Sequence, residues 1–74
     1  MNEIRRKILD YIHATHVTEG RYPTIIEIAH GLALSRQRTL DNLNMLAHLG
    51  YLRIEHKQIV AMRLPGQPAL KAEV

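Results

Sequence analysis

The stretch TIIEIAHGLALSRQRTLDNLNMLAHLG, Thr24 to Gly50, holds two helix starts separated by almost nothing. Thr24 and Glu27 stand at capping-box spacing, and Ile25, Ile28, Ala29 and Leu32 recur every three or four residues, which predicts a short helix with one apolar face. Pro23 forbids extending that helix backwards, because the residue before a proline avoids helical angles. Only Ala33 and Leu34 then intervene before Ser35, a strong N-cap residue. A longer stripe follows through Thr39, Leu40, Leu43, Leu46 and Ala47, and Gly50 marks its end. Two helices with so short a join must cross sharply, the spacing of a helix-turn-helix.

On the N-terminal side, Ile4, Ile8, Tyr11 and Ile12 predict an amphipathic helix from Glu3 to about Thr18, capped by Asn2 and ended by Gly20. On the C-terminal side the period changes from three-and-four to two. Leu52 and Ile54 alternate with Arg53 and Glu55, and Val60, Met62 and Leu64 alternate with Ala61 and Arg63. Two strands pairing around His56 to Gln58 are expected, with Leu52, Ile54 and Val60 sealing the core. That turn has no glycine or asparagine, so its type stays open. The expected fold class is mainly α with a small β-hairpin, a three-helix winged helix-turn-helix over residues 1–64, followed by a flexible tail or linker over 65–74.

With those elements in order, Ile8 to Leu64 resembles the DNA-binding domain of the LexA family of SOS repressors. The likeness is carried by ILDYI in the first helix, YPTIIEIAHGL in the second, and Ser35, Leu43, Leu46, Ala47 and Gly50 in the third. Three features differ from that pattern: a join before Ser35 that is one residue shorter, a shorter wing without glycine, and Leu40 where the family tends to carry a polar residue. Ser35 is the only serine, so the family's self-cleaving serine-lysine peptidase is not expected here. The resemblance implies a prokaryotic or phage transcriptional regulator, a repressor by family habit, whose third helix reads double-stranded DNA, and it matches Ser35, Gln37, Arg38 and Asp41 to positions near the bases.

The residues point the same way without it. A turn of about 100° per residue places Gln37, Arg38, Asp41, Asn44, Met45 and His48 outward when the leucines face the core. In the half of the helix that enters a major groove, Arg38 and Arg36 can donate two bonds to guanine and Gln37 can exchange two with adenine. Asn42 can add another, and Asp41 can accept from cytosine or orient an arginine. Phosphate contacts are expected from Thr24 and Ser35 at helix starts, and from His56, Lys57 and Arg53 on the hairpin. The formal charge of +3 favours a polyanionic partner.

Other classes are disfavoured. The chain has no cysteine, which removes disulfides and thiolate metal sites. His13 and His16 lie one helical turn apart without further ligands, so no metal and no cofactor are expected. A lone serine that caps a helix, no glycine-rich phosphate loop and little room for a substrate pocket argue against an enzyme. No stretch has the roughly 18 apolar residues of a membrane span, and a soluble cytoplasmic protein is expected. A single small module gives modest specificity, so a homodimer or fusion to another domain through the tail is expected. The rival reading is a winged-helix protein-interaction module without DNA binding, docking through Met45, Leu49 and Tyr51 with the arginines as rim. Structured RNA is a third possibility, told apart by a preference for A-form duplex.

Overall fold

The computed structural model describes residues 2–68 and 70. Three helices precede one antiparallel hairpin: α1 (Glu3–Glu19), α2 (Ile25–Gly31), α3 (Arg36–His48), β1 (Leu52–Glu55) and β2 (Gln58–Met62). This is the winged helix-turn-helix order. Among the described residues, no helix is long and apolar enough to cross a membrane.

Local chemistry starts each helix. The Asn2 side chain accepts from the Arg5 amide at 2.8 Å, Thr24 from Glu27 at 3.1 Å and Ser35 from Arg38 at 3.1 Å, so each helix has one of its orphan donors satisfied. The tight join between α2 and α3 comes from how α2 ends. Ala33 takes φ 53°, and the Leu34 and Ala33 amides return to the carbonyls of Ala29 and His30. This is the Schellman closure that glycine usually makes, here with an alanine in the left-handed region. Helix α3 closes in the same manner, with Gly50 at φ 86° and the Tyr51 and Gly50 amides bonded to Leu46 and Ala47.

The core gathers Ile8, Leu9 and Ile12 from α1, Ile28 from α2, Leu43 and Leu46 from α3, Leu52 from β1 and Ile59 from β2. Thr39 is buried among them and stays satisfied because its hydroxyl donates to the Ser35 carbonyl at 2.9 Å. Leu40, expected in this core, is only half-buried. At about 100° per residue it sits at the margin of a stripe centred on Thr39, Leu43 and Leu46, and it turns toward the hairpin.

The hairpin corrects the expected alternation. Leu52 pairs with Met62 and Arg53 with Ala61, but Ile54 pairs with Ile59, so Val60 is the extra residue of a bulge. Ile59 therefore seals the core at 8% exposure, whereas Val60 is pushed outward at 38%. The strand ends at Met62 rather than Leu64. Beyond it, Leu64 and Gln67 close a turn through Leu64 N–H to Gln67 Oε1 at 2.9 Å and Gln67 N–H to Leu64 O at 3.1 Å. The first residues of the expected tail are thus tied back to the domain, and 69 and 71–74 lie outside the described residues.

Candidate nucleic-acid interface

Helix α3 presents Arg36, Gln37 and Arg38 on its exposed first turn. The two arginines are two residues apart, about 200° around the helix axis, so they flank the open face rather than share it. Gln37 and Asp41 lie between them, with Gln37 Nε2 donating to Asp41 Oδ1 at 2.8 Å. Asp41 thereby orients the amide of Gln37, not an arginine. The second Nε2 hydrogen and Oε1 of Gln37 stay available, the edge that an adenine can meet.

Asn42 lies at the edge of this group. It is half-buried, and its Nδ2 donates to the Arg38 carbonyl of its own helix at 2.8 Å. It sits about 40° around the helix from Arg38, on the flank away from the wing and at the margin of the base-reading candidates. Ser35 is occupied as an acceptor by its cap, which leaves its hydroxyl proton to donate.

At the start of α2 the capping box uses both groups of Thr24: its hydroxyl accepts from the Glu27 amide, and its own amide donates to Glu27 Oε1 at 3.0 Å. Arg21 grips the same carboxylate with two bonds of 2.7 Å each. The Arg21 hydrogen bonds, followed by the Thr24 backbone hydrogen bond, hold the Glu27 carboxyl down at about 2. Glu27 is therefore charged but internally neutralised. Thr24 keeps only its hydroxyl proton for an outside partner.

The wing turn consists of His56 at φ 52° and Lys57 at φ 62°. Two successive left-handed residues make the type I′ geometry that matches strand twist, normally met by asparagine and glycine. Holding histidine and lysine there costs about 1 to 2 kcal/mol for each residue, and strained positions of this kind concentrate at functional sites. Arg53, expected with them, is half-buried lower on β1 and paired with Glu55 at 3.4 Å.

Charge is sorted over the surface. Arg6 pairs with Asp10, Lys7 with Glu3 and Arg21 with Glu19 and Glu27. Arg63 donates to the carbonyls of Gly50 and Gln67 and lies 4.1 Å over the Tyr51 ring. Among the described residues, Arg36, Arg38 and Lys57 have no such partner, an absence they share with Arg5 on α1. Three uncommitted cations thus frame the exposed side of α3 and the wing tip.

Between Arg36 and Lys57 runs a cleft of about 430 Å³, walled by Thr24, Ile25 and Ile26 of the α2 start, by Arg36, Leu40 and Asn44 of α3 and by Ile54 and Lys57 of the hairpin. A second cleft of similar volume lies between Tyr22–Ile25 and His56–Ile59, on the other side of the wing tip. Leu40 and Ile26 were not among the expected site residues. Their signal in the sequence is faint, an apolar residue at the edge of each helical stripe. His16 stacks on Tyr22 with ring centroids 4.3 Å apart, and no group of three metal-ligating side chains forms among the described residues. No protein-family model matches the chain, and no curated protein matches it by sequence.

Proposed function

We propose that this chain is a sequence-specific double-stranded DNA-binding domain of a transcriptional regulator, with α3 in the major groove and the wing on the backbone. The observation that carries the reading is the charge sorting. Among the described residues, every other cation except Arg5 on α1 is spent on carboxylates or carbonyls, whereas Arg36, Arg38 and Lys57 stay uncommitted around the helix that the fold leaves exposed. Unpaired cations flanking an exposed helix are what a phosphate lattice neutralises, with release of counterions. Gln37 and Arg38, together with Asp41, supply the base-edge chemistry, and Ser35, Thr24 and His56 stand where phosphates would pass. The resemblance to LexA-type domains makes repression by occupancy of a site the preferred regulatory mode, as a dimer or as part of a larger chain.

The test is fluorescence anisotropy with a randomised duplex pool over a salt series. Binding should be micromolar at low salt, fall steeply as salt rises and weaken tenfold or more in the Arg36→Ala/Arg38→Ala variant. Lys57→Ala should reduce the salt slope by about 1. One observation favours the rival, a protein-interaction module: Met45 on α3 and Leu49 at its C-cap, one turn apart, are 39% and 47% exposed. Tyr51, its third member, is instead capped by Arg63. Failure to bind the pool at low salt, or indifference to loss of both arginines, would move the assignment to that module.

A further inference from the structure

The cleft between α2, α3 and the wing has an apolar floor that phosphate binding does not require. Ile26, the second residue of α2, is 62% exposed, while Leu40 and Ile54 are half-buried beside it. The walls carry Arg36 from α3 and Lys57 from the hairpin, and among the described residues no acidic side chain lines the cleft. An occupant should therefore combine a small apolar group with flanking negative charge. The major groove of DNA offers one apolar group on its base edges, the 5-methyl of thymine, set between two phosphate rows. On the Cα path of α3, Leu40 follows Gln37 by three residues and Arg36 by four, so it lies on the helix surface that faces the groove when Gln37 does.

Resting on the DNA reading above, we infer that Leu40 and Ile26 select thymine through its 5-methyl group while Arg36 and Lys57 hold the adjoining phosphates. Leu40 stands where the resembling family tends to be polar, so this preference belongs to the present chain. Each methyl buried against the cleft should give roughly a fourfold preference.

Two randomised duplex pools, identical except that one carries thymine and the other uracil, isolate the methyl group. The wild type should bind the thymine pool about fourfold or more tightly, with similar salt slopes for both. Leu40→Asn and Ile26→Asn should each narrow that ratio toward one. Circular dichroism checks the fold of the Leu40 variant, and the exposed Ile26 position carries the test independently. Equal affinity of the wild type for both pools, or a preference that neither substitution moves, would overturn the inference and leave the DNA reading standing. Binding to neither pool at low salt would overturn both.

Discussion

Glu27 serves the α2 start and Arg21 with a single carboxylate, and that double use has a pH signature. Its carboxyl is held from the ordinary 4.5 down to about 2, chiefly by Arg21 and then by the Thr24 amide. A depressed folded-state value means that the native state favours the ionised form. The stability so contributed is complete above about pH 4.5 and disappears as pH falls toward about 2. Glutamine at this position keeps an acceptor for the Thr24 amide and loses the ion pair. The melting temperature of wild type should thus exceed that of Glu27→Gln near neutrality, with the gap closing between about pH 4.5 and about pH 2. A gap that stays constant over that range would show that the carboxylate charge is not its source. At this scale Thr24, Glu27, Ser35 and Asn2 were all legible, because capping depends on neighbours three residues away. Asn42 was not: an amide that bonds back to its own helix looks, in sequence, the same as one aimed at a base.

The hairpin is the element in which stability and function pull apart. His56 and Lys57 occupy a turn that asparagine and glycine would enter without strain. The double replacement His56→Asn/Lys57→Gly should therefore raise stability by about 1 to 3 kcal/mol in denaturant unfolding, the relieved strain of both residues less the extra unfolded-state entropy of glycine. The same protein should bind duplex DNA more weakly and with a shallower salt dependence, since it loses a cation at the wing tip. Higher stability with unchanged binding would remove the wing from the interface. The helices could be read from periodicity, but the hairpin register could not. Ile59 and Val60 are adjacent, and both suit a strand interior, so alternation alone permits either to face inward. Packing of β2 against α1 and of β1 against α3 selects Ile59, and the bulge carries Val60 out.

For the whole molecule, the core is small, eight buried apolar side chains among the described residues, and a domain of this size holds only about 3 to 5 kcal/mol in reserve. A ligand that binds the folded state should then show clearly in thermal melting. Duplex DNA at about 100 times its dissociation constant adds about 2.7 kcal/mol, which corresponds to a rise in Tm on the order of 10 °C or more for a small domain. The rise should shrink as salt increases and be smaller for Arg36→Ala/Arg38→Ala. An equal rise in both proteins would place the contact elsewhere on the surface. By itself the sequence determined the order of three helices and a hairpin, the helix starts and the polar set on the opening of α3, because caps and periodicity are written within a few residues. Only the tertiary structure decided that Ile59 and not Val60 is core, that Leu40 and Ile26 share a cleft with Lys57, and which cations lack partners. Those outcomes depend on burial and pairing between segments far apart in the chain, where local spacing exerts no control.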